Sequence, residues 1–209
     1  MRFSEAFNIV RTDIDDWFDP DLSIDTPLFV DPIMLLQSSP HWTKAHEELV
    51  RHFCHCYPLV AKSSSQTSNS ARVAQKLLTF PEPSEFCLGY TTSGTAGSGS
   101  GRGFAKSLTG AIDAAIHAGL SDPTHIEELG ILNEGFGADR ISDATCNVLK
   151  KHFIEYTQEV CRRHNVTMDT HKVRNVGADL FLDRWIDEDV SLPTNPLNCK
   201  PIILVPDRF

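Results

Sequence analysis

At 209 residues, with 41% apolar and 22% charged side chains and a net charge of −9, the chain has an ordinary globular composition and enough length for one domain with a real core. Its acidic balance excludes nucleic-acid binding through overall charge, because only a local basic patch would hold phosphate against that field. No apolar run approaches the roughly 18 residues of a membrane span. No charged-then-apolar leader opens the chain, and six cysteines without a CxxC pair fit a reduced, cytoplasmic protein without a two-pair zinc site.

Residues 1–42 read as an irregular acidic and aromatic segment. Asp13, Asp15, Asp16, Asp19, Asp21, Asp25 and Asp31 are interleaved with Trp17, Phe18, Leu22, Leu28, Phe29 and Val30. A solvated acidic tail would lack those apolar anchors. Pro20, Pro27 and Pro32 point to turns and short extended pieces, with Leu28-Phe29-Val30 as the strand. Residues 43–57 predict a helix, with Leu49, Phe53 and Cys56 at i, i+4 and i+7. A polar loop over residues 62–70 leads to a second helix over about 70–78, stopped by Pro81 and Pro83. Phe86-Cys87-Leu88-Gly89-Tyr90 reads as a buried strand and residues 91–103 as a small-residue loop. Residues 104–119 read as a helix ending on Gly119. Asp122-Pro123 opens a short helix to about Leu132, and Asp139 opens the longest helix, to about Asn165. Leu180-Phe181-Leu182 and Ile202-Ile203-Leu204-Val205 read as strands. The class is therefore α/β or α+β: a small mixed sheet covered by helices in a single domain over residues 1–209. A core strand ending so close to Phe209 is what either a shortened chain or the N-terminal domain of a longer protein would show.

The segment Glu134-Gly135-Phe136-Gly137-Ala138-Asp139-Arg140-Ile141-Ser142-Asp143 carries the main chemical candidates. Carboxylates at i and i+4 share a helix face and repel, so the pair is better tolerated with a cation between them. That cation is Arg140, another side chain or a metal. As oxygen ligands, Asp139 and Asp143 would suit Mg²⁺ or Mn²⁺, with Glu134 or an N-terminal aspartate such as Asp31 completing the shell. The plainer reading makes Asp139 an N-cap and leaves Asp143 to Arg140 or Lys151. In the glycine loop, Gly97, Gly99, Gly101 and Arg102 precede a helix and would suit a phosphate. The loop is neither a P-loop nor a GxGxxG turn, and a mobile surface loop explains it as well. His52-Phe53-Cys54-His55-Cys56 lacks a second ligand pair for zinc, so a core reading fits it better. Asp169-Thr170-His171-Lys172 has the wrong spacing for the Asp…Glu-x-Lys pattern of a large nuclease class.

Three stretches carry a resemblance: Phe7-Asn8-Ile9-Val10-Arg11-Thr12-Asp13, Asp25-Thr26-Pro27-Leu28-Phe29-Val30-Asp31-Pro32 and Gly135-x-Gly137-x-Asp139-Arg140-Ile141-Ser142-Asp143. Together, about a quarter of the chain, they resemble a group of uncharacterised bacterial proteins associated with phage-defence and mobile-element neighbourhoods. The resemblance implies a cytoplasmic antiviral-defence protein working on nucleic acid or within an assembly, and it carries over no catalytic residue. Three functions stand as expectations. The first is a metal-dependent phosphodiesterase or nuclease using Asp139, Asp143, Glu134 and Arg140. The second is a module sensing a nucleotide or phosphate without turnover. The third is a subunit or homo-oligomer whose interface is anchored by Trp17, Phe18, Phe29 and Trp42.

Overall fold

The computed structural model describes residues 1–24, 26–63, 65, 68–88, 100–120, 123–132 and 136–209, and leaves out the side chains of residues 100–102 and 131–132. Among the described residues, eight α-helices precede one hairpin: α1 (Phe3–Ala6), α2 (Pro32–Leu36), α3 (Pro40–Ala61), α4 (Asn69–Leu77), α5 (Ser100–His117), α6 (Glu128–Leu132), α7 (Ala138–Val148) and α8 (Lys150–Arg163), then β1 (Asp169–Asp179) and β2 (Arg184–Leu192). The fold is α+β, and its sheet is a two-stranded antiparallel pair. No helix among the described residues is long and apolar enough to cross a membrane.

Helix α3 is longer than its apolar period suggests, at 22 residues. Pro40 sits in its first turn, where a missing N–H leaves nothing unpaired, and Trp42, Ala45, Leu49, Phe53, Cys56 and Val60 form the buried stripe. Ser68 caps α4, its hydroxyl accepting from the Ala71 N–H at 3.3 Å. Gly119 closes α5 as expected: its φ is +84°, and the Gly119 and Leu120 N–H groups donate to Ile116 and Ala115. That pair of bonds is a Schellman closure, which favours glycine at the left-handed residue.

The helix expected from Asp139 to about Asn165 is two helices. Leu149 leaves helical geometry at φ −97°, ψ 12°, so α3 is the longest helix among the described residues. Near the break, side chains engage backbone carbonyls: Thr145 Oγ1 donates to Ile141 O at 2.7 Å and Asn147 Nδ2 to Asp143 O at 2.8 Å. Such bonds bend helices. On the far side, buried Lys150 is drawn towards Glu85 and β1. The apolar period runs unbroken through Leu149, which is why periodicity alone joins the two.

Residues 180–182 are the hairpin turn and not a strand. Asp179 Oδ1 accepts the Phe181 and Leu182 N–H groups at 3.0 Å each, Asp183 has φ 52°, and Phe181 is 93% exposed. The true strands carry charged residues and bulge between Val173 and Gly177, with Asn175 at φ 53°. Residues 202–205 are buried as expected but lie outside the sheet. Their N–H and C=O groups go to scattered partners: Ile203 N–H to Glu85 O, Leu204 N–H to Thr157 Oγ1, and Phe18 N–H to Val205 O, each 2.8 Å. Leu28-Phe29-Val30 is likewise extended but unladdered. Ser84–Phe86 forms a 3-10 turn instead of a strand start; Cys87 follows at φ 53°, and Leu88 makes one parallel bridge to Thr26. Gly89, Tyr90 and residues 91–99 of the loop after them lie outside the described residues, and residues 100–103 belong to the first turn of α5 and not to a loop.

Two apolar clusters result. The larger joins α3, α4, α5, α7 and the inner face of α8 to the hairpin. The smaller packs Phe3, Trp17 and Leu22 against Val160, Cys161, Ile202 and Leu204. Trp17 and Trp42, at 0% and 4% exposed, therefore serve this chain's own core.

Candidate functional site

Helix α7 begins one residue earlier than the sequence suggests. Gly137 occupies the N-cap position without a side-chain cap, and Asp139 lies exposed in the first turn, where the helix dipole favours a carboxylate. One turn on, the Asp143 carboxylate is 15% exposed and 3.9 Å from the Arg140 guanidinium. Arg140 lies 4.9 Å over the Phe104 ring, which stacks on Phe136 at 5.7 Å. Burial and the charges of Asp139 and Glu82 push the Asp143 carboxyl up to about 7, with Arg140 opposing.

Val30 brings the N-terminal segment to this helix, its N–H donating to Ser142 Oγ at 3.0 Å. Its neighbour Asp31 caps α2, accepting from the Ile33 N–H at 2.9 Å. Glu127, just before α6, is an addition that the sequence did not single out. Both its carboxylate oxygens are buried without a hydrogen-bond partner among the described residues, and burial raises its pKa, helped by Asp31. Among the described residues, no three His, Cys, Asp or Glu side chains group as metal ligands. Glu134, Gly97 and Gly99 lie outside the described residues. Gly101 and Arg102 fall in the first turn of α5, their side chains undescribed.

Beside α7 lies a cleft of about 340 Å³, between residues 81–85, the start of α8, β1 and residues 200–201. Asn147 Nδ2 ties its wall to α7 by donating to Pro81 O at 2.8 Å. Lys150, only 3% exposed along its side chain, forms the floor, and its Nζ donates to Glu85 Oε1 at 2.9 Å and to Arg174 O at 3.0 Å. Lys172, Arg174 and Lys200 line the same cleft, are exposed, and make no ion pair among the described residues. Four cations thus meet Glu82 and Glu85 on a chain of net charge −9. This is the local basic patch that an acidic protein needs for phosphate. Val173 is buried between Lys172 and Arg174, so strand alternation puts both cations on one face.

A family model described as Domain of unknown function (DUF8370) matches residues 8–209. The chain belongs to that family. No curated protein and no solved structure matches it.

Proposed function

We propose that this DUF8370 chain binds a phosphate-bearing ligand, a nucleotide or a nucleic-acid backbone, in the cleft floored by Lys150. The observation that carries this reading is the trio Lys172, Arg174 and Lys200, exposed around one cleft without carboxylate partners of their own among the described residues. Lys150 is already neutralised by Glu85, so it shapes the floor while the trio supplies free charge. Arg174 offers the planar fork that matches a phosphate, and the lysines act as point charges beside it. Fluorescence anisotropy of a labelled oligonucleotide, with ATP and inorganic phosphate as competitors, tests the reading. Reversing Lys172 and Arg174 to glutamate should weaken binding at least tenfold without lowering the melting temperature. Each lost phosphate contact should flatten the slope of log affinity against log salt by roughly 0.7–0.9. Equal binding by the reversed variant would remove the assignment.

A second reading, metal-dependent phosphodiester hydrolysis, rests on Asp143. A half-neutralised carboxyl with its pKa near 7, one turn from Asp139, is a place where a divalent cation such as Mg²⁺ or Mn²⁺ would relieve repulsion. Arg140 would then be free to hold phosphate. Turnover of DNA or RNA with either ion that survives Asp139→Ala/Asp143→Ala would rule it out.

A further inference from the structure

A second cleft, also about 340 Å³, opens on the opposite side of α8 and is lined by His41, Trp42, Asp16, Tyr156, Glu155 and Glu159 among others. Its chemistry is the reverse of the first. Tyr156 donates its O–H to Asp16 Oδ1 at 2.7 Å. The cation on this wall, Arg163, is already engaged by Glu159 at 3.3 Å and Asp15 at 3.8 Å. Glu155 has no ion pair among the described residues, and its charge acts on His41.

His41, which lines the cleft, meets His152: His41 Nε2 and His152 Nδ1 lie 3.4 Å apart, with ring centroids 5.0 Å apart. The other nitrogen of His152, Nε2, lies 2.9 Å from Glu48 Oε2. A carboxylate there takes the Nε2–H and leaves the Nδ1 lone pair free, the arrangement that orients histidine ligands in metal sites. The separation has a second meaning. A hydrogen bond between ring nitrogens would be long at that distance. Two nitrogens bound tetrahedrally at about 2.0–2.1 Å to one ion sit roughly 3.3–3.4 Å apart. Glu155 lies three residues beyond His152, on the same face of α8.

We propose that His41 Nε2 and His152 Nδ1 bind one divalent cation of the zinc type, oriented by Glu48 through His152, with its remaining positions open to the cleft. Paired imidazoles select zinc and its late first-row neighbours over magnesium. The surrounding carboxylates supply the negative field that a dication needs. The open positions take water or an oxygen of a cleft ligand, since among the described residues no third side chain groups with the two imidazoles. The site is separate from the phosphate cleft, and neither assignment depends on the other.

Isothermal titration of the full reduced chain with Zn²⁺, repeated by visible absorption with Co²⁺, tests this. One equivalent should bind, and the Co²⁺ spectrum should report nitrogen and oxygen ligands. His41→Ala and His152→Ala should each weaken binding by at least tenfold. Glu48→Gln keeps a hydrogen-bonding group and leaves both ligands in place, and it should weaken binding by about tenfold. Uptake unchanged in all three variants, no uptake by the parent chain, or uptake abolished by Cys199→Ser would each overturn the assignment.

Discussion

Two groups of carboxylates withdrawn from solvent are treated differently in this molecule. In the N-terminal layer, Asp15 accepts the Thr12 N–H at 2.7 Å, the Trp17 indole N–H at 3.2 Å and a bond from His164 Nε2 at 2.6 Å. Asp19 accepts the Ser4 N–H and O–H at 2.9 and 2.7 Å. Asp143 on α7 has one long contact to Arg140, and the oxygens of Glu127, just before α6, have no hydrogen-bond partner among the described residues. Burial opposes ionisation in both places. Donors overturn it at Asp15, whose carboxyl is held well below the usual range, and fail to do so at Asp143, which is pushed up to about 7. The first group holds the segment down. The second has fewer donors than its oxygens could accept.

The sharpest way to break that contrast is Asp15→Ala. It strands the indole N–H and frees His164, and should cost about 3 kcal/mol in urea unfolding at pH 7. Because the folded pKa of Asp15 lies below its unfolded value near 3.9, its contribution is complete above that value and fades as pH falls below about 4. The gap between parent and variant should therefore close in acid. Asp143→Asn should act the other way, stabilising the fold by about 2 kcal/mol at pH 8. With the folded carboxyl near 7 and the unfolded one near 3.9, the native state holds the extra proton between those values. The parent thus loses stability as pH rises through that window, and the advantage of the variant should vanish below pH 4. If melts at pH 8 show no gain, Asp143 is better paired than its geometry indicates. The smallest effect belongs to Ser142→Ala. It leaves the buried Val30 N–H without an acceptor, for a loss of about 1 kcal/mol by thermal unfolding.

The helices were legible because their apolar stripes repeat at 3.6, and Gly119 marks the end of α5; α3 and α4 begin at Pro40 and after the Ser68 cap, ahead of the positions 43 and 70 that the sequence suggests. The hairpin was not. Leu180-Phe181-Leu182 looks apolar enough for a strand yet forms its turn, while the true strands carry exposed charged residues, Lys172 and Arg174 on β1 and Asp187, Glu188 and Asp189 on β2. Missing β1 hid the basic cleft as well, since Lys172 and Arg174 share a face only if residues 172–174 are extended. Lys200 joins them from a distant loop, and no local pattern encodes that meeting. The α7 turn was legible as a candidate from its spaced aspartates. Glu127 was not, because its lack of a partner is a tertiary property. Asp139 was read as the N-cap, a position that lies two residues earlier at Gly137, since glycine can serve there without a side-chain bond.

The interruption at Leu149 has a consequence for recognition. By ending α7 there, the chain directs Lys150 inward, where one ammonium group clasps residue 85 and the carbonyl of residue 174 together. Three separate stretches of backbone are thereby locked around the cleft before any ligand arrives. An anion entering it would immobilise little that was free, so the entropic penalty of association falls chiefly on the guest and on the outer lysine tips.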